Sequence, residues 1–164
     1  MPTCALLMIA MVLLAPVPAL AECADPPAPG VDWNGCLLEE SEFPGADLSG
    51  ADLSNARLQR TDLAGVNFEG AKAHRAKLIA ADLRNANFKN AELQNADLTK
   101  ANLEGASLEN ANLRRTRLFR ANLRGANLTG ANMDKTDLLN ADVSGATWTD
   151  GARICAEGSI SRCK

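Results

Sequence analysis

The chain has 164 residues, room for one domain, and sets 17 Lys and Arg against 20 Asp and Glu. A net charge of −3 is too balanced to suggest a nucleic-acid binder or an acidic tail. With four Phe, two Trp and no Tyr, the core must be built from Leu and Ala.

Residues 5–15 (ALLMIAMVLLA) are an unbroken apolar run, ended by Pro16 and Pro18. Ala19-Leu20-Ala21 then gives the small-x-small pattern of a cleavage site before Glu22. The run is shorter than the roughly 20 residues of a membrane span. It predicts a signal peptide over 1–21 and a secreted or periplasmic product with no stable membrane insertion after cleavage. An uncleaved anchor is the rival reading, since no Lys or Arg precedes the run. Lipidation of Cys23 is disfavoured by Glu22 directly before it.

From Trp33 to Trp148 every fifth residue is apolar: Leu38, Phe43, Leu48, Leu53 and so on, with Ala73 the one small member. Two residues before each lies a small side chain, most often Ala, and between them usually Asn or Asp. A five-residue step rotates about 140° on an α-helix, so the leucines would define no face. On a continuous strand five is odd, and the leucines would alternate between faces. The last position of the unit is mostly Gly or Asn, the residues that best tolerate positive φ. The chain is therefore expected to turn once per five residues, always in one sense, with the central Leu and the small residue inward.

Units such as Ala51-Asp52-Leu53, Ala101-Asn102-Leu103 and Ala126-Asn127-Leu128 resemble the A-[D/N]-L-x-x unit of the pentapeptide-repeat family. Twenty-four consecutive units cover residues 31–150. The resemblance implies an all-β fold: a right-handed quadrilateral β-helix with four sides per coil. Twenty-four units then make about six coils, a rod roughly 29 Å tall at about 4.8 Å per coil. The expected organisation is a signal peptide (1–21), a Pro-rich N-terminal cap (22–30), the β-helix (31–150) and a C-terminal disulfide cap (151–164). Trp33 and Trp148, in the end coils, are expected to act as lids on the Leu column. Ala73 in a Leu position predicts a small void or a local bulge.

Cys4 leaves with the signal peptide, and Cys23, Cys36, Cys155 and Cys163 remain, an even number in an exported chain. Within the implied rod, pairs across the ends are too far apart for a disulfide, so Cys23–Cys36 and Cys155–Cys163 are expected. The alternative, a four-cysteine metal site, lacks a finger spacing.

No constellation supports catalysis. The single His, His74, is an outward residue far more often solvated than catalytic, and no Ser or Thr has a His base within its repeat frame. No catalytic residue, cofactor, metal ligand or phosphate-binding loop is expected. The fourfold frame does distinguish the sides. The one made of 36–40, 56–60, 76–80, 96–100, 116–120 and 136–140 carries Arg57, Arg60, Lys77, Lys100, Arg117 and Arg120 against Glu39, Glu40, Asp97 and Asp137. Ile79, Phe119 and Leu139 are apolar at outward positions there, which makes it a candidate interaction face with Arg117 and Arg120. The next two sides are acidic.

These features predict a non-catalytic binding or scaffolding module with an unknown protein partner, or one that self-associates, and not a nucleic-acid binder. Some cytoplasmic members of the family resemble DNA in size and charge and protect type II topoisomerases from quinolones. The export signal, the cysteines and the near-neutral charge disfavour that alternative here.

Overall fold

The computed structural model describes residues 23–164. The expected signal peptide and its cleavage site lie outside the described residues. From Asp32 onward, the second residue of each unit forms a parallel bridge with the residue twenty positions on, from Asp32↔Asp52 to Asn127↔Thr147. Four five-residue units therefore complete one turn. We number the sides from 1 (31–35, 51–55 and every twentieth residue on), through 2 (36–40 on) and 3 (41–45 on), to 4 (46–50 on). Positions within a unit run from 1, the small residue, to 5, the corner.

Every corner residue from Gly30 to Gly145 has positive φ, from 55° at Ala80 to 71° at Gly35. The position-1 N–H donates across most corners to the carbonyl of the preceding position 3, as Ala51 does to Leu48 at 3.1 Å. A positive φ at the third residue of such a four-residue turn is the type II geometry. Gly and Asn accept it readily, but Glu40, Arg60, Ala80, Lys100, Arg115 and Arg120 also adopt it. Stacking thus imposes on them a conformation they do not favour.

The recurrent Asp or Asn at position 2 has a local cause. Its Oδ1 accepts the N–H of position 4, as Asp52 does from Ser54 (2.9 Å) and Asp97 from Thr99 (3.1 Å). This Asx turn leads the chain into the corner. On side 4 the same side chains also join coil to coil: Asn67 donates to Asp47 at 3.0 Å, and Asn87 to Asn67 at 2.9 Å.

The core is the stack of positions 1 and 3. Ala96, Leu98, Leu118 and their equivalents are buried. Between coils, Leu98 N–H donates to the Arg117 carbonyl (2.8 Å) and Arg117 N–H to Ala96 (2.9 Å). Thr61 and Thr116, buried in place of Ala, and half-buried Thr136 each turn the hydroxyl to a carbonyl of the previous coil: Leu38, Leu93 and Leu113 respectively. A polar atom inside the rod thereby keeps a partner.

One of the two alternatives expected at Ala73, and the tryptophan lids, need correction. No bulge forms at Ala73: Lys72 bridges Asp52 on one side and Glu92 on the other in unbroken register, and Ala73 is buried. Phe68 and Phe88, on the neighbouring side 4, stack at 4.7 Å. Nor do the tryptophans close one column. Trp33 belongs to side 1 and is fully buried, with Nε1 donating to the Asp25 carbonyl at 3.3 Å; Trp148 belongs to side 4 and is only half-buried.

The ends are cross-linked. Cys23 is bonded to Cys36, and Cys155 to Cys163. After Asp150 the chain reverses and lies antiparallel on the last coil, bridging Thr147↔Ile154 and Asp142↔Ile160. Among the described residues, no helix is long and apolar enough to cross a membrane.

Candidate interaction surface

Side 2 presents the predicted apolar residues in one position-4 column. Leu139 is 57 % exposed, while Ile79 and Phe119 are half-buried. The strip is interrupted, because Thr99 stands between Ile79 and Phe119. Phe119 and Leu139 lie on successive coils, where Arg120 N–H donates to the Leu139 carbonyl at 3.0 Å. The Arg120 guanidinium sits 5.0 Å from the centre of the Phe119 ring, a cation–π arrangement. Arg117 turns instead toward Asp97 at 3.5 Å. Arg57 pairs with Glu39 at 3.0 Å and Arg60 with Glu40, which neutralises the N-terminal part of this side. The candidate face is therefore its C-terminal half.

Charge is divided more sharply than the net value suggests. Over residues 31–150, sides 1 and 2 carry 11 Lys and Arg against 8 Asp and Glu, a balance of +3. Sides 3 and 4 carry 3 against 9, a balance of −6. Side 1 contributes to the positive balance as well as side 2: its Arg114 and Arg115 run through the corner into Arg117 and Arg120. That Arg-rich stretch, RRTRLFR over 114–120, was a legible signal.

His74 is not a solitary solvated residue: its Nε2 lies 2.7 Å from Glu92 of the next coil, both half-exposed. Arg124, on side 3, bonds Asp142 at 3.1 Å and Glu157 of the return segment at 2.8 and 2.9 Å. These two carboxylates raise its pKa further. The shallow groove beside it, lined by Gly105, Gly125 and Gly145, thus holds an arginine already paired with two carboxylates. Among the described residues, no group of three or more His, Cys, Asp or Glu is placed to hold a metal.

The family model for pentapeptide repeats matches in eight copies, over residues 30–60, 51–90, 76–115 and 111–147. The chain belongs to the pentapeptide-repeat family. A solved relative, the pentapeptide-repeat protein Rfr23 from the cyanobacterium Cyanothece 51142, is 31 % identical over 71 % of this chain and 90 % of its own, with a TM-score of 0.57. The family and this neighbour imply the right-handed sense of the four-sided β-helix. HetL from Nostoc sp. PCC 7120, a protein involved in heterocyst differentiation regulation, is 29 % identical over 74 % of this chain and 67 % of its own, with a TM-score of 0.31. A further Nostoc pentapeptide-repeat protein is 37 % identical over 52 % of this chain and 69 % of its own, with a TM-score of 0.49. No curated protein matches. The matched family is defined by a structural repeat and indicates no catalytic activity.

Proposed function

We propose that this pentapeptide-repeat protein is an exported, non-catalytic binding or scaffolding module of six coils, capped at each end by a disulfide-linked segment, which docks a protein partner through the C-terminal half of side 2. The observation that carries the reading is the outward pair Phe119 and Leu139 on adjacent coils, with Arg120 over the ring. Aromatic and Arg groups in such company are enriched among binding hot spots. Export is supported by the apolar run 5–15 and by two disulfides that an oxidising compartment sustains. The charge balance of sides 1 and 2 argues against mimicry of DNA, which needs a rod anionic all round.

Affinity capture from periplasmic extract with wild-type protein and with Phe119→Ser plus Leu139→Ser tests the reading. Any partner retained by wild type should be lost from the double variant, with an affinity drop of about tenfold or more. Equal capture by both proteins removes this face from consideration. Mature protein beginning at Met1 would refute export by cleavage.

A further inference from the structure

The C-terminal end of the rod is closed over only half its area. On sides 3 and 4 the return segment uses the position-3 N–H and the position-1 carbonyl of the last coil. Val143 N–H donates to Ser159 and Ala141 accepts from Ser161; Trp148 N–H donates to Arg153 and Ala146 accepts from Cys155. The equivalent groups on sides 1 and 2 are Met133 N–H with the Ala131 carbonyl, and Leu138 N–H with the Thr136 carbonyl. None of these four, nor Lys135 N–H, bonds any group among the described residues. Half-buried Trp148 apart, burial follows the same division. Leu113, Thr116 and Leu118, one coil earlier in the same columns, are buried, whereas Met133, Thr136 and Leu138 are half-buried.

We propose that this open step is a docking edge for an extended, acidic segment of a partner protein, which adds antiparallel to sides 1 and 2 as the chain's own C-terminal segment adds to sides 3 and 4. An edge with aligned donors and acceptors is a template for strand addition. The chain's own return segment shows the geometry that this edge accepts. It turns Cys155 and Ser159 inward, both buried, so a partner residue placed over Met133 or Leu138 would be small or apolar.

Charge selects the partner. The return segment, with Arg153, Arg162 and Lys164 against Glu157, is basic and lies over the acidic sides. The open step has the opposite setting. Arg114, Arg115, Arg117, Arg120 and Lys135 surround it in the last two coils, against Asp134 and Asp137, a balance of +3. Of these cations only Arg117 is in an ion pair among the described residues. An acidic strand would be attracted here and a basic one repelled. This inference deepens the proposed binding function by naming the partner's chemistry, but it stands on the edge's own hydrogen-bonding groups and not on Phe119.

The test uses the mature protein and a fluorescein-labelled decapeptide of alternating Glu and Val, read by anisotropy at physiological salt. Two further peptides replace Glu by Lys or N-methylate the central amides. The Glu peptide should bind saturably, and the other two at least tenfold more weakly. Bound peptide should slow hydrogen exchange at Met133, Lys135 and Leu138 and leave Leu98 unchanged. Equal binding of the N-methylated peptide would overturn strand addition, as would protection confined to the side-2 surface. Concentration-dependent self-pairing with no peptide binding would assign the edge to a second copy and overturn the acidic partner. Phe119→Ser should leave peptide binding intact. Its effect on partner capture therefore reports on the side-2 face separately.

Discussion

The Phe68 ring lies on the Phe88 ring of the next coil, with centroids 4.7 Å apart and planes 12° from parallel. Ala73 falls between them in sequence, at the one central position that lacks a large side chain. The solenoid's cross-section is fixed by its four sides and cannot swell locally, and the prediction is that the rings and position 73 share its volume. Ala73→Leu should therefore destabilise the protein by about 1–3 kcal/mol through overpacking. In a background of Phe68→Leu with Phe88→Leu, the same change should become neutral or favourable. Urea unfolding of the double-mutant cycle measures this coupling. A coupling near zero would show that the rings and Ala73 are independent.

Leu98 has no exposed surface and is stacked between Leu78 and Leu118 in its column. Leu98→Asp places a carboxylate where no donor is available, at a cost of several kcal/mol. That approaches the whole stability of a small domain. The variant should not fold, as read by circular dichroism and size-exclusion chromatography. A cooperative melt near that of wild type would mean that position 98 does not face inward.

Much of the coil was legible in the sequence because its signal is repeated. The Leu register from Trp33 to Trp148 gave the inward positions, and Gly or Asn at the corners gave the turn. The Asx turn at position 2 is also written there, as Asp or Asn two residues before the N–H that it accepts. The ends were less legible because each occurs once. Nothing periodic says that residues after Asp150 run backward along sides 3 and 4. At Ala73 the bulge was not legible either way: an Ala in a Leu position does not say whether the register breaks, and the bridges of Lys72 keep it. The open step at Met133 and Leu138 follows from which sides the return segment covers, and no local pattern carries that.

The Cys155–Cys163 bond closes a short loop in the return segment. Loops of this length are worth roughly 2–3 kcal/mol of chain entropy. Coils in a solenoid contact only their neighbours, so the loss should stay local. In Cys155→Ala with Cys163→Ala, hydrogen exchange should quicken at Val143 and Gly145, whose N–H groups donate to Ser159 and Cys155. Exchange at Leu58 and Leu78 should be unchanged. Uniform acceleration through the rod would mean that the cap governs global stability.

Acid should loosen the same cap first. Glu157 accepts from both ends of the Arg124 guanidinium, and this bonding holds its pKa below the ordinary 4.5. Asp142 is pushed up by burial, but the Ser144 hydroxyl and N–H and the Arg124 guanidinium outweigh this and hold it below 3.8. A carboxylate whose folded pKa is depressed contributes stability that is fully present above its unfolded pKa, and the contribution is lost as pH falls through the folded value. For Glu157 the loss begins near pH 4.5 and runs downward. Glu157 is largely exposed, so salt should weaken its part of the effect. Exchange at Val143 and Gly145 should therefore quicken between pH 5 and pH 3, after correction for intrinsic rates, while Leu98 stays protected. Glu157→Gln should remove most of the pH dependence and leave exchange at neutral pH slightly faster than wild type. If the variant keeps the full acid response, Arg124 is not what ties the return segment to the fifth coil.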